Sequence, residues 1–107
     1  MNLAKTLRMT QLFAFYQTLL TDKQQQMLQL YYEEDYSLSE IADYYAISRQ
    51  AVHDNLKRGE KQLEQYEANL KLLERRQQRV QWLNELSQHV TDRTAQHLIQ
   101  QIMKMDE

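Results

Sequence analysis

Apolar residues at Leu3, Leu7, Leu12, Phe13, Tyr16, Leu19 and Leu20 recur at the three- and four-residue intervals that place side chains on one face of an α-helix. The spacing predicts a first amphipathic helix ending near Leu20. Thr21 and Gln24 then have the spacing of a capping box, in which each side chain bonds the other residue's backbone N–H, and they open a second helix through Met27, Leu28, Leu30 and Tyr31. After the acidic run Glu33-Glu34-Asp35, Ser37 and Glu40 form another such box ahead of Leu38, Ile41, Ala42 and Tyr45. This third helix is short and runs into Ala46-Ile47, and Ser48 caps a fourth helix that begins at Arg49.

From Val52 onward the apolar positions alternate by four and three: Val52, Leu56, Gly59, Leu63, Tyr66, Leu70, Leu73, Gln77 and Val80, with Gly59 as the one tolerated weak point. Either the fourth helix continues for many turns or a collinear successor takes over, presenting one stripe to a partner helix. Beyond Val80 the register moves to Leu83, Leu86 and Val90, and Thr91-Asp92 offers the cap of a last helix bearing Ala95, Leu98, Ile99, Ile102 and Met105. The expected organisation is an N-terminal helix (1–20) packed on a helix-turn-helix core (21–62), with a C-terminal helical extension (63–107). The apolar seam Leu63, Tyr66, Leu70, Leu73 and Val80 predicts a homodimer through that extension; folding back of the last helix is the rival use of the same stripe.

Composition strengthens the all-α expectation. The 107 residues contain no proline and one glycine, too little punctuation for hairpins and tight β-turns. Absence of cysteine excludes disulfides and thiolate metal sites, and no apolar run approaches the length of a membrane span, so the expected setting is cytoplasmic. His53, His89 and His97 lack ligand spacing, and neither a nucleophile motif nor a phosphate-binding glycine loop occurs, so no metal, cofactor or enzymatic activity is expected. The tyrosines Tyr31, Tyr32, Tyr36, Tyr44 and Tyr45 suggest core filling with the hydroxyls at the rim more than base stacking, with Tyr31 and Tyr45 inward.

Residues 37 to 61, SLSEIADYYAISRQAVHDNLKRGEK, meet the demands of a helix-turn-helix in order. Ile41 and Tyr45 face inward, Ala42 is small where the helices cross, Ile47 plugs the turn, and Val52 and Leu56 close the core. Ala46 stands where such turns usually carry glycine, which makes a left-handed residue more costly there. An ordinary helical corner would satisfy the same apolar positions; the polar start of the following helix is what points to nucleic acid. Ser48, Arg49, Gln50, His53 and Asp54 are expected near base edges, with Arg49 suited to guanine, Gln50 to adenine and Asp54 to a cytosine amino group. Lys57, Arg58 and Lys61 are expected at phosphates. The net charge of −2 is low for a DNA binder, but its distribution helps: from Ser48 to Gln62 four bases face two acids, whereas from Asp22 to Tyr45 six acids face Lys23 alone.

LTDKQ, LYYEEDYSLSEIAD, ISRQAVHDN and YE, in order between Leu20 and Leu70, give a segment that resembles region 4 of sigma factors. It is more closely similar to the YlxM-like family of small helix-turn-helix proteins of Gram-positive bacteria. The flanks, Thr6-Leu7-Arg8-Met9 and Leu12-Phe13 before it and the helical tail behind, extend that second resemblance over the full length. It implies an all-α, sigma region 4-like fold of the winged-helix class without a wing. It also implies a DNA-binding regulatory protein connected, through the family's gene neighbourhood, with the signal recognition particle and protein export. A complete sigma factor also needs a domain that melts the promoter, for which 107 residues leave no room. Two other partner classes fit the resemblance: signal recognition particle RNA or GTPase, and RNA polymerase. A second cationic cluster, Lys71, Arg75, Arg76 and Arg79, reads as a solvated helix face with Glu74 for local pairing, or alternatively as an RNA or acidic-protein contact.

Overall fold

The computed structural model describes residues 2–106 and is helical throughout, with no strand among the described residues. Six α-helices follow one another: α1 (Leu3–Tyr16), α2 (Asp22–Tyr32), α3 (Leu38–Tyr45), α4 (Arg49–Leu70), α5 (Leu72–His89) and α6 (Arg93–Lys104). The first expected helix stops at Tyr16, and one 3₁₀ turn, Gln17–Leu19, completes the segment to Leu20. Both capping boxes form. The Thr21 and Ser37 side chains accept from the backbone N–H of Gln24 and Glu40, whose own side chains accept from the backbone N–H of Thr21 and Ser37.

The chain divides into two compact units, 1–71 and 72–107. In the first, α4 is the central element, with α1, α2 and α3 packed against it. Val52, Leu56, Gly59 and Leu63 form its buried face, opposite Met9, Leu12, Phe13 and Tyr16 of α1, Met27, Leu28 and Leu30 of α2, and Ile41 and Ala42 of α3. Besides an ion pair between Lys5 and Glu60, three hydrogen-bonded ties fasten α1 and the turn after it to the second half of α4. Arg8 donates bidentately to Glu64 at 2.6 and 2.8 Å, the Tyr16 hydroxyl to the buried Glu67 carboxylate at 2.6 Å, and the Tyr66 hydroxyl to the Leu19 carbonyl at 2.9 Å.

The expected seam is therefore redistributed. Leu63 is fully buried inside the first unit, Tyr66 is half-buried there, and the unit extends to Lys71, nine residues beyond the boundary that the sequence suggests at 62. Nor do α4 and α5 form one uninterrupted helix, because Lys71 adopts the left-handed conformation (φ 56°) and ends α4.

In the second unit α5 and α6 form an antiparallel hairpin. Asp92 caps α6 by accepting from the Ala95 N–H, Gln96 bonds Ser87 and the Val90 carbonyl, and at the open end Arg79 grips Asp106 bidentately at 2.6 and 2.9 Å. Among the described residues, no helix is long and apolar enough to cross a membrane.

Candidate nucleic-acid interface

The turn between α3 and α4 places the candidate residues. Ala46 takes φ 54° and ψ 48°, its N–H reaching back to the Asp43 carbonyl and that of Ile47 to the Ala42 carbonyl, the paired bonds of a Schellman ending. The chain is thereby redirected within two residues and Ser48 starts α4, its hydroxyl oxygen accepting from the Ala51 N–H at 3.0 Å. That oxygen is engaged in capping, and the hydroxyl hydrogen is left to donate.

Burial of Val52 and Leu56 turns the opposite side of α4 outward. Gln50, Asp54, Lys57 and Lys61, spaced i, i+4, i+7 and i+11, share this exposed face, with Arg49 at the first turn and His53 on its flank, all of them exposed. Within the face Gln50 Nε2 donates to Asp54 Oδ1 at 2.9 Å, and His53 Nδ1 lies 3.6 Å from the same oxygen. Asp54 is thus held by Gln50 on its own helix, a tie that a cytosine amino group would have to displace.

The expected phosphate contacts do not all share this face. Arg58 lies about 100° around the helix from Lys57, and its guanidinium donates to Asn55 Oδ1 at 2.9 Å, while Asn55 in turn donates to the Ala51 carbonyl. Lys61 is exposed on the Gln50 side. The Lys57 ammonium lies 3.7 Å from Glu60 Oε1, an oxygen that Lys5 of α1 approaches to 3.1 Å, and Glu60 Oε2 accepts from the Tyr32 hydroxyl at 2.8 Å. The neighbouring Lys5 ammonium holds Lys57 below the ordinary lysine value. Burial and, next, the Glu60 carboxylate hold the Tyr32 phenol well above its ordinary value of 10.0.

Lys5, Tyr31, Tyr32, His53, Lys57 and Glu60 line part of a cleft of about 250 Å³ beside the exposed face. Lys5 and Glu60 were not expected in this neighbourhood. Glu60 adjoins Gly59 on the edge of the buried stripe, but α1 has to fold back before Lys5 can meet it. Tyr31 is half-buried, whereas Tyr45 encloses its hydroxyl without a hydrogen-bond partner and Tyr44 stands exposed.

The second cationic cluster is divided. Lys71 closes the first unit, and Arg75, Arg76 and Arg79 belong to the second, where Arg79 is engaged by Asp106 and Arg75 lines an apolar groove with Trp82 and Leu86.

This geometry agrees with the comparisons to known proteins. Residues 3–104 match the family model described as "Putative helix-turn-helix protein, YlxM / p13 like". The chain is 54% identical over 88 residues to the UPF0122 protein YlxM of Bacillus subtilis (strain 168), an overlap covering 82% of this chain and 80% of the relative. It is 51% identical over 108 residues to the UPF0122 protein YofM of Lactococcus lactis subsp. lactis, covering all of this chain and 97% of the relative. A UPF0122 protein of Bacillus pumilus is 48% identical over 110 residues, covering 99% and 100% of the two chains. An Ala-centred turn between two capped helices, inside a match that spans the described helices almost end to end, places this chain in the YlxM/p13-like helix-turn-helix family.

Proposed function

We propose that the protein is a non-enzymatic, DNA-binding regulatory module that reads duplex DNA with the first half of α4. The observation that carries the reading is the outward face of that helix. Arg49, Gln50, His53 and Asp54 stand exposed near its N-terminus, where base edges would be met, and Lys57 and Lys61 follow on the side that would meet phosphate. A role in protein export through the signal recognition particle is part of the proposal and comes from the family resemblance alone.

The test is fluorescence anisotropy with random duplex DNA across a salt series. Binding is expected at low salt, with log affinity falling linearly in log salt. Lys61→Ala should weaken all sequences alike and flatten the slope by about one unit, the effect of losing one phosphate contact. Arg49→Ala should relax base preference at one position of a selected site. Absence of duplex binding at low salt removes the reading.

A second reading is favoured by the internal ties of the same face. With Asp54 taking up Gln50 and Lys57 shared with Glu60, fewer groups are free for phosphate than the sequence count of four bases suggests. An accessory protein that binds signal recognition particle RNA or its GTPase would tolerate this, using the helix-turn-helix as a protein platform. The same titration with the particle RNA and with the GTPase separates the two readings.

A further inference from the structure

The α5–α6 hairpin has two unlike sides. On α5, Gln77, Gln81, Asn84 and Gln88 line one flank, all amide and all exposed. Its other flank carries Trp82 and Leu86, 63% and 48% exposed, at the mouth of an apolar groove. On α6, Ile99 is buried, while Leu98 and Ile102 beside it remain 55% and 41% exposed and Met105 is 84% exposed.

These two apolar flanks fall on the same side. The α6-facing stripe of α5 runs through Leu83 and Ser87, and about 100° of rotation per residue puts Trp82 and Leu86 on the preceding side of it. Leu98 and Ile102 stand on the preceding side of the Ala95–Ile99 stripe in the same way. For two right-handed helices packed antiparallel, equal rotational offsets point to one common face. Leu83 and Ile99 lie between, and the opposite face is Gln81, Asn84, Gln88, Gln100 and Lys104.

A hairpin of this size does not make a core. Units below about 40 residues ordinarily need a staple or a partner, and the second unit has no cysteine and, among its described apolar residues, only Leu73 and Ile99 buried. From side-chain areas of order 150–250 Å² for large residues, the exposed set amounts to roughly 500 Å² of apolar surface. That lies at the upper end of what a monomer leaves uncovered, about 300–600 Å². Roughly 500 Å² is also about the apolar share of the ~800 Å² of total surface that each partner gives to a standard interface.

We propose that this face is covered by the same face of a second copy of the chain, Trp82 and Leu86 packing across a two-fold axis against their equivalents with Leu98 and Ile102 alongside, to close a four-helix bundle. Two copies of one hairpin supply the four helices that such a bundle requires. A self-complementary apolar surface without a carboxylate in its centre meets the condition that an isologous contact imposes. The interface differs from the seam read in the sequence, because Leu63 is committed to the first unit's own core. It does not depend on the DNA reading, and its test contains no nucleic acid.

The experiment is sedimentation velocity on the full chain from micromolar to about 100 µM, the range in which weak dimers populate, with the emission of Trp82, the sole tryptophan, followed over the same range. The expected result is a dimer whose Trp82 emission shifts to the blue as it forms. Trp82→Lys should raise the dissociation constant about thirtyfold or more, as loss of a buried anchor does, and Asn84→Lys on the amide flank should leave it unchanged. Since the chain has no cysteine, Leu86→Cys gives a single thiol that should cross-link to its equivalent on mild oxidation, whereas Gln88→Cys should not. A monomer at every concentration with water-exposed Trp82 emission overturns the proposal. So does a dimer that Asn84→Lys dissolves as readily as Trp82→Lys. If Trp82→Lys loses helicity, the unsubstituted chain and the two cysteine variants still decide the matter.

Discussion

Ala46 bears the geometry on which the whole candidate interface depends, and it does so with a side chain ill suited to the task. At φ 54° its Cβ crowds the backbone, a penalty of about 1–2 kcal/mol that glycine avoids. Glycine in turn loses more chain entropy on folding, which takes back part of the gain. Ala46→Gly is therefore expected to stabilise the protein by about 0.5–1 kcal/mol, read as a higher urea midpoint with an unchanged slope. Ala46→Val should lower the midpoint, since branching at Cβ aggravates the same clash. The sequence already marks this position as the anomalous one in its turn, and the structure shows the residue taking the left-handed conformation instead of avoiding it.

At the scale of elements, the approach of α2 to α4 is set by Gly59. A Cβ built there would come within 2.8 Å of Leu28 Cδ1 and 3.3 Å of its Cγ, and Leu28 is 1% exposed, so its side chain would have to shift within the core. Alanine would gain about 1 kcal/mol of helix propensity, against about 1–3 kcal/mol for overpacking a closed core. Gly59→Ala is expected to lower stability by about 1 kcal/mol net in urea titration, and a Gly59→Ala/Leu28→Ala double variant to show strong non-additivity.

The contact of α1, α2 and α4 around Glu60 makes a prediction of opposite character, about pH. Burial, with the Glu60 carboxylate second, raises the Tyr32 phenol in the folded state above its ordinary 10.0, so the neutral phenol is the form that folding favours. Its contribution is complete below that ordinary value and is lost as pH rises through the higher folded value. The denaturation midpoint should hold up to about pH 10 and decline as pH rises above it, and Tyr32→Phe should make that decline shallower.

For the whole molecule, the division at Lys71 implies unequal autonomy. Residues 1–71 contain a core fed by four helices and the polar ties from Arg8, Tyr16 and Tyr66 to α4, so a chain ended after Lys71 should unfold cooperatively with native-like helicity. Residues 72–107 alone should be poorly helical at low micromolar concentration and gain helicity with concentration, because their apolar face has no intramolecular cover of its own. Circular dichroism on the two fragments over a concentration series checks both statements; a C-terminal fragment whose helicity is high and independent of concentration would contradict the second.

What can be read in the residues follows from how local each interaction is. Helix starts at Thr21, Ser37, Ser48 and Asp92 are legible because a cap is decided by side chains three residues apart, and the Ile41, Ala42, Val52 and Leu56 core of the helix-turn-helix because helical period alone selects it. Periodicity also identifies the stripe that continues from Val52 to Val80. It cannot say which partner covers a given stretch, since an intramolecular core and an intermolecular seam demand the same apolar face. Only the tertiary structure assigns Leu63 to the first unit's interior, breaks the helix at Lys71, brings Lys5 to Glu60 across some fifty residues of chain, and leaves Trp82, Leu86, Leu98 and Ile102 open on one side of a hairpin. Those outcomes rest on long-range packing, in which many weak contacts between distant segments decide together, and no window of sequence contains both sides of them.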